Sequence, residues 1–489
     1  MKTLPVRILH SFAIGLLSLG LAAPAAHAGG AYTQTAETAA VDKLFAKWDR
    51  PDSPGAAIGI IKDGRIIYAR GYGMANLEYD IPNTPQTVFR IGSTSKHFTA
   101  MAVAILIEQG KLALDDDIRT YLPELPAYEA PVTVRHMLHH TSGLRNYEHL
   151  TLLAGIDSPL HPSPYYTDEE AVAMIARQKS LNFTPGERYS YSNSNYFLLA
   201  EIIGRASGMR TAEFARKYMF EPLGMSHTHF HDDVDVIVKN RASGYSPTED
   251  GGFRINMTRL GQIGTGSIFT TIEDFFKWDQ NFYDNKLGKG RQSLIEMVET
   301  PGRLNNGDSA GYGFGLNIER FGGLRLISHG GAFVGFRSYY MRFPDQRFSI
   351  VMLANQGPFP LYEVVRDIAL IYLEDQFTKP VDTAPSPEDE DAEAEPPAIA
   401  LTDDRRRAYA GRYYSPELDA YYTLRATDGT LTLQVGRYHT EELAASAADA
   451  LRWGYGTLEF ARNPAGEISG FVLHSEPIRN LRFEKLPLD

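Results

Sequence analysis

Three short motifs in this 489-residue chain carry side chains that could together perform acyl transfer. The first is Ser93-Thr94-Ser95-Lys96, at the start of an expected helix. Residues three apart on a helix share a face, so the Lys96 amine can reach the Ser93 hydroxyl and take its proton. The positive end of the helix dipole favours the negative charge developing on that oxygen. The motif predicts a serine nucleophile with a lysine base, against the alternative of a capping serine and a solvated lysine.

The second motif is Tyr191-Ser192-Asn193, which precedes another expected helix. A tyrosine held beside a lysine can have its pKa lowered and serve as a proton shuttle. We therefore expect Tyr191 to act with Lys96, while the alternative is an ordinary buried tyrosine.

The third motif is His329-Gly330-Gly331-Ala332, which closes an apolar strand from Leu324 to Ile327. Two glycines allow a substrate to lie against the main chain, so a backbone N–H could face an oxyanion there. The alternative is a glycine-rich turn without a chemical role.

Two β-hairpins are expected to frame these motifs. Asp63-Gly64 joins Ala56–Lys62 to Arg65–Gly71, and Pro344-Asp345 joins Arg337–Phe343 to Arg347–Ala354. Because the hairpins lie near opposite ends of the region, they indicate one antiparallel sheet built from both chain termini. Helical periodicity and end signals predict helices between them, over Lys96–Gln109, Glu169–Gln178, Tyr196–Ala206 and Ile272–Asp284. The expected fold class is α/β, an antiparallel sheet flanked by helices with a helical insert.

The order of the three motifs resembles the serine β-lactamase/DD-peptidase superfamily, in the branch that contains class C β-lactamases, D-aminopeptidases, DD-carboxypeptidases and related esterases. The resemblance covers about residues 35–375. Further matching segments are His136-Met137-Leu138-His139-His140-Thr141-Ser142-Gly143-Leu144, Glu221-Pro222-Leu223-Gly224-Met225, and Gly264-Thr265-Gly266-Ser267 with Thr270-Thr271-x-x-Asp274.

This resemblance implies a β-lactamase/transpeptidase-like fold and an acyl-enzyme formed on Ser93. Lys96 and Tyr191 would move the protons, and the backbone N–H groups of Ser93 and Ala332 would hold the oxyanion. Asn193 would contact a substrate carbonyl or Lys96. No metal and no organic cofactor is implied.

His329 stands where β-lactamases have a lysine, as in D-aminopeptidases and many esterases of the branch. A lysine is a fixed cation for a substrate carboxylate, whereas a neutral histidine is not. We therefore expect a D-amino-acid peptidase or an esterase, with a β-lactamase as an alternative. An alternative of another class is a non-catalytic receptor for peptidoglycan fragments or β-lactams, against which the intact Lys96 and Tyr191 argue.

Composition excludes several other classes of function. The chain has no cysteine, which rules out a thiol nucleophile, disulfides and Cys-ligated zinc or iron–sulfur sites. A net charge of −12 disfavours general binding to nucleic acid or to an anionic membrane surface. The expected partner is a small-molecule or peptide substrate, for which the cell wall is one source.

The ends of the chain differ in composition from its centre. Residues 1–28 combine Lys2 and Arg7, an apolar run and Ala26-His27-Ala28, which predicts a cleaved secretory signal peptide rather than a membrane anchor. We expect an exported protein, periplasmic or extracellular, without stable membrane insertion after cleavage. The remaining boundaries are a catalytic domain over 29–380, an acidic Pro-rich linker over 381–400, and an all-β, barrel-like domain over 401–489.

Other patterns resemble functional sites but favour structural interpretations. Gly307-Asp308-Ser309-Ala310-Gly311 has the form of an α/β-hydrolase nucleophile elbow, but no strand precedes it and no helix follows, so we interpret it as a loop. Two histidine groups have metal-like spacing without the carboxylate of a zinc protease, so we interpret them as structural; they are His136, His139 and His140, and His227, His229 and His231. The acidic linker lacks a calcium-loop pattern and is interpreted as a solvated tether.

Overall fold

The structure is a computed structural model that describes residues 34–156, 166–381, 399–427, 429–436 and 439–487. The expected signal segment and residues 382–398 of the expected linker lie outside these ranges. Within the described ranges, no helix combines the length and apolar character needed to cross a bilayer.

The helices and strands of the described residues are numbered in chain order. The α-helices are α1 Ala36–Phe45, α2 Lys96–Glu108, α3 Val134–Leu138, α4 Tyr147–Leu153, α5 Asp168–Ala176, α6 Asn193–Ser207, α7 Thr211–Ala215, α8 Glu221–Leu223, α9 Ile272–Asn281, α10 Ser293–Val298, α11 Leu361–Leu373 and α12 Asp403–Tyr409. The strands are β1 Ala56–Lys62, β2 Arg65–Tyr72, β3 Met74–Asn76, β4 Ile81–Pro82, β5 Phe89–Arg90, β6 His229–Phe230, β7 Tyr245–Pro247, β8 Phe253–Ile255, β9 Ile268–Thr270, β10 Asn317–Phe321, β11 Leu324–Phe333, β12 Phe336–Phe343, β13 Phe348–Ala354, β14 Gly411–Ser415, β15 Ala420–Thr427, β16 Thr430–Val435, β17 His439–Glu442, β18 Ala444–Ala447, β19 Ala450–Trp453, β20 Gly456–Arg462, β21 Ile468–Ser475 and β22 Ile478–Lys485.

A six-stranded antiparallel sheet forms the centre of the first region, in the order β10-β11-β12-β13-β1-β2. Both predicted hairpins are present, and β1 pairs with β13 from Ala56↔Ala354 to Lys62↔Phe348. The prediction that the two ends of the region share one antiparallel sheet is therefore confirmed.

The sheet is covered by helices on both faces. Ile58 and Ile60 of β1 share one apolar core with residues of α1 and α11. The alternate residues Ala57 and Ile61 belong to a second core with residues of α2, α6 and α9. Successive strand residues point to opposite faces, so β1 is buried on both sides, and the predicted α/β sandwich with a helical insert is confirmed.

Helix α2 lies inside the second core. Its residues from Lys96 to Leu106 are all buried, and a helix that is buried around its whole circumference must be surrounded by protein. α2 packs against α6, and Lys96 Nζ at the start of α2 lies 5.8 Å from the centroid of the Tyr196 ring near the start of α6. The N-terminal ends of these helices, which carry the first two motifs, therefore lie together. Helix α6 begins at Asn193, three residues before the predicted start, because Ser192 is the extended residue that precedes the first turn.

The C-terminal strands form a nine-stranded sheet, a nearly closed barrel, in the order β17-β16-β15-β14-β22-β21-β20-β19-β18. The expected C-terminal all-β fold is confirmed. Its apolar core contains Leu150 and Leu153 of α4 and Met174 of α5, together with residues of the barrel strands. The barrel therefore packs directly on the helical insert.

Candidate active site

Ser93 lies in a single 3-10 turn, Gly92–Ser95, between β5 and α2. Gly92 has a φ of 50°, in the left-handed region, and a Cβ there would lie 2.8 Å from the backbone nitrogen of Ala332. Glycine is thus required both by the turn and by the close approach of β11. The turn leaves Ser93 partly exposed, while Thr94 and Ser95 beside it are buried.

Lys96 is the first residue of α2 and is fully buried. Its Nζ donates hydrogen bonds to Ser93 Oγ and to the backbone oxygen of Thr265, both at 3.0 Å. Burial lowers the pKa of Lys96 to about 7, although the negative charge of Glu148 raises it in part. Near neutral pH the amine is therefore able to take the Ser93 proton over the same short contact.

Tyr191 stands on the other side of the lysine, whose Nζ lies 4.9 Å from the centroid of the phenol ring. Burial raises the pKa of Tyr191 well above its ordinary value, and a hydrogen bond with Ser93 only partly lowers it. The expectation that the neighbouring lysine lowers this pKa is therefore wrong, because the cost of burying a phenolate dominates. Tyr191 is a neutral phenol, able to donate or relay a proton, and Lys96 is the group with the lowered pKa.

Asn193, the first residue of α6, does not contact Lys96 through any hydrogen bond that the structure describes. Its Nδ2 donates to Glu148 Oε2 at 2.6 Å, and its buried Oδ1 has no hydrogen-bond partner. Glu148 belongs to the first turn of α4 and is partly exposed. Sequence reasoning did not find this carboxylate, since no pattern relates the start of α4 to the start of α6.

His329 is buried, and its pKa is lowered to about 3, by burial first and then by the Lys96 charge. Nδ1 lies 2.6 Å from the backbone oxygen of Gly330, so this nitrogen carries the proton. Nε2 then accepts from the Tyr312 hydroxyl at 2.9 Å. His329 is a neutral group in this site, and Tyr312, which sequence reasoning did not single out, fixes its ring.

The third motif lies within a strand rather than in a turn, because β11 continues through Phe333. A Cβ on Gly331 would lie 2.1 Å from the backbone oxygen of Ile91, so the glycine allows β11 to pass against the Ser93 turn. Gly330 is partly exposed beside it.

Ala332 is exposed and lies one pair before the two-residue turn that joins β11 to β12. In such a hairpin, Phe333 and Phe336 form the hydrogen-bonded pair next to the turn. The alternation of the antiparallel ladder then directs the N–H of Ala332 away from β12. The resemblance implies this N–H and that of Ser93 as the two donors to an oxyanion.

His140 packs against Tyr191 and bonds to the residues that follow it. Its Nδ1 accepts hydrogen bonds from the Ser192 backbone at 3.2 Å and from Asn195 Nδ2 at 3.1 Å. Its ring centroid lies 4.3 Å from that of Tyr191. His140 was interpreted from the sequence only as a structural histidine. It is structural, but the element that it positions belongs to the site.

The remaining sequence candidates lie elsewhere. Ser309 is exposed, and its Oγ accepts from the Gly311 backbone at 3.1 Å within a loop, as interpreted. His229 and His231 contact each other at 3.3 Å. Among the described residues, no group of three or more His, Cys, Asp or Glu side chains could hold a metal ion.

Comparison with known protein families identifies the family of this chain. The Beta-lactamase family model matches residues 41–374. The chain belongs to the Beta-lactamase family. This confirms the resemblance drawn from the three motifs, and the family membership indicates a serine hydrolase.

Among curated relatives, the D-aminopeptidase of Gluconobacter oxydans is 31% identical over 317 residues, 65% of this chain and 58% of that protein. The D-aminopeptidase of Brucella anthropi is 30% identical over 302 residues, 62% of this chain and 56% of that protein. This chain thus spans less than two thirds of the length of these relatives. Among solved structures, the octameric penicillin-binding protein homologue from Pyrococcus abyssi has a TM-score of 0.62 at 25% identity, covering 92% of this chain and all of that one.

Proposed function

We propose that this protein is an exported serine acyl hydrolase that releases D-amino acids from amides or short peptides through an acyl-enzyme. The reaction class is supported by the contact of Ser93 with a buried lysine whose pKa is about 7. The D-amino-acid class is supported by the names of the curated relatives. Export is supported by the signal-like residues 1–28 alone, and the cell wall is a source of D-amino-acid peptides outside the cytoplasm.

In the proposed reaction, Ser93 Oγ attacks the scissile carbonyl while its proton passes to Lys96. The carbonyl oxygen becomes an oxyanion held by the N–H groups of Ser93 and Ala332. Lys96 and the neutral Tyr191 then deliver a proton to the leaving amine, and the C–N bond breaks. Water attacks the acyl-enzyme in the same way, which releases the acid and restores Ser93.

The carboxylate of Glu148 beside Asn193 is the observation that favours an aminopeptidase within this family. An aminopeptidase substrate carries an ammonium one carbon from the scissile carbonyl, and Glu148 is an anion close enough to influence Lys96. A charge-assisted hydrogen bond of this kind contributes about 1.5–3 kcal/mol. By contrast His329, which is neutral, offers no charge to a substrate carboxylate.

The buried cation of Arg90 is the observation that favours β-lactam hydrolysis as a second candidate function. It is buried next to the Ser93 turn, and its pKa, lowered by burial to about 10, leaves it charged. Its Nε donates to the Gly266 backbone oxygen at 2.9 Å, and its guanidinium lies 4.1 Å from the Phe333 ring. A cation in this place could attract the carboxylate of a β-lactam.

A substrate panel tests the proposal. We expect D-alanine p-nitroanilide to be hydrolysed with a higher kcat/KM than its L-isomer, its N-acetyl derivative or nitrocefin. Glu148→Gln should raise KM for D-alanine p-nitroanilide by about 10- to 100-fold and leave that for p-nitrophenyl acetate nearly unchanged. A preference for the N-acetyl derivative or for nitrocefin would overturn the substrate assignment. Binding without turnover of any compound would indicate the receptor alternative.

A further inference from the structure

Helix α4 connects the active site to the C-terminal barrel. Its first turn carries Glu148, whose side chain accepts from Asn193. Its later residues Leu150 and Leu153 are fully buried in the barrel core, and the Tyr422 hydroxyl of β15 donates to the Leu153 backbone oxygen at 2.8 Å. The start of α4 thus contacts the active site, and the end of the same helix is buried against the barrel.

The polypeptide just before α4 is held by a buried ion pair between the two regions. Arg145 Nη1 lies 2.8 Å from Glu417 Oε2 in the turn between β14 and β15, and the two side chains are 0% and 5% exposed. Arg145 Nη2 donates to the backbone oxygen of Arg479, also in the barrel, at 2.7 Å. Glu417 accepts in addition from the Lys179 backbone at 2.8 Å. A buried pair with this many partners holds its two segments in one geometry.

The same segment is bonded to the Tyr191-x-Asn193 motif. The Ser194 hydroxyl donates to the Arg145 backbone oxygen at 2.6 Å and accepts from the Tyr147 N–H at 2.8 Å. Ser194 directly follows Asn193 in the first turn of α6. Displacement of Arg145 would therefore move Tyr147 and Glu148 relative to Asn193.

We propose that Glu417 of the C-terminal barrel is a positioning residue for the active site, which acts through Arg145 to hold the Glu148 carboxylate against Asn193 and within electrostatic reach of Lys96. The barrel would then influence substrate affinity, although none of its side chains that the structure describes contacts the reacting atoms. The expected effect on substrate affinity rests on the proposed function, in which Glu148 binds the ammonium of the substrate.

The rate at which Ser93 reacts with a fluorophosphonate provides a test that needs no particular substrate. The rate should rise with pH as Lys96 loses its proton, with a midpoint near the pKa of about 7. Because the Glu148 charge raises that pKa, moving or neutralising it should shift the midpoint to lower pH. The other titratable groups near Lys96 stay neutral in this range, since burial raises the pKa of the tyrosines and lowers that of the histidines; they are Tyr191, Tyr196, His140 and His329.

Four variants of the full chain separate positioning from general weakening of the interface. Glu148→Gln gives the largest shift of the midpoint. Glu417→Gln should shift it in the same direction and raise KM for D-alanine p-nitroanilide by about 10- to 100-fold. Tyr422→Phe, which removes the contact at the far end of α4, should keep the wild-type midpoint. Glu417→Asp, which keeps the carboxylate, should return the midpoint toward that of the wild type.

A Glu417→Gln profile that overlays the wild type would overturn the inference, as would an equal shift in Tyr422→Phe. If Glu417→Gln lacks the wild-type circular dichroism spectrum, Arg145→Lys, which keeps a cation at that position, replaces it in the same comparison. The preference of the wild-type protein for D-alanine p-nitroanilide over its N-acetyl derivative tests the proposed function alone. If the protein shows no such preference, the proposed substrate is wrong, but the pH profiles of fluorophosphonate labelling still test the role of Glu417.

Discussion

Replacing Lys96 by methionine should stabilise the folded protein at low pH while it abolishes turnover. The fold lowers the pKa of the fully buried Lys96 from 10.5 to about 7. At about 1.4 kcal/mol per pH unit, protonated Lys96 costs the folded state on the order of 5 kcal/mol below pH 7. Between pH 7 and 10.5 the unfolded chain binds the proton more readily, so this cost decreases as pH rises and disappears above 10.5. A methionine of similar size carries no such cost.

Urea unfolding of both proteins at about pH 6 and about pH 9 measures this effect, and the stability advantage of Lys96→Met should be larger at the lower pH by about 3 kcal/mol. Loss of the hydrogen bond to the Thr265 backbone costs about 1–3 kcal/mol but does so equally at both pH values. Ser93→Ala is the matched control, because it removes a hydrogen-bond partner of Lys96 without removing the charge. A Lys96→Met advantage that is the same at both pH values would refute the lowered pKa and, with it, Lys96 as the base.

The other predictions concern proton transfer, the nucleophile and the domains. Lys96→Arg keeps a cation that cannot take a proton at neutral pH, so hydrolysis of p-nitrophenyl acetate should fall to background, and an active variant would exclude Lys96 as the base. Tyr191→Phe should lower kcat by about 10²- to 10⁴-fold, whereas a change below about threefold would remove the phenol from the mechanism. Peptide mapping should place a phosphonate adduct on Ser93 and not on Ser309, and Ser93→Ala alone should lose it. A chain that ends at Pro380 should unfold at lower urea concentration than the full chain, while equal stability would indicate that the catalytic domain expected over 29–380 folds without the barrel.

The main sheet could be predicted from sequence because its signals are local. Asp63-Gly64 and Pro344-Asp345 are turn sequences that lie between runs of apolar residues, and each hairpin follows from its own residues. The start of α6 could not be placed as well, because Ser194 and Asn195 are polar residues in its first turn. In the folded chain they bond to Arg145 and His140, which are distant in sequence.

The contact between Ser93 and Lys96 could be predicted because a single helical turn sets the distance between the two side chains. The charge states of Tyr191 and Lys96 could not be predicted from the sequence, since they depend on burial. Tyr191 and Lys96 are both buried, and burial disfavours the charged form of each, so the tyrosine pKa rises and the lysine pKa falls. The contact of Glu148 with Asn193 joins two helix starts that are distant in sequence and that the packing of α4 against α6 brings together.

In the proposed function, substrate selection depends on which groups stay charged at neutral pH. Burial keeps His329 neutral and reduces the charge on Lys96, so neither is a fixed cation for a substrate carboxylate. Arg90 stays charged, but its guanidinium already contacts the Gly266 backbone oxygen and the Phe333 ring. Glu148, in the first turn of α4, accepts a hydrogen bond from Asn193, and its charge raises the pKa of Lys96. Because an ammonium gains from this anion while a carboxylate is repelled by it, the local charge supports the proposed preference for aminoacyl substrates over β-lactams.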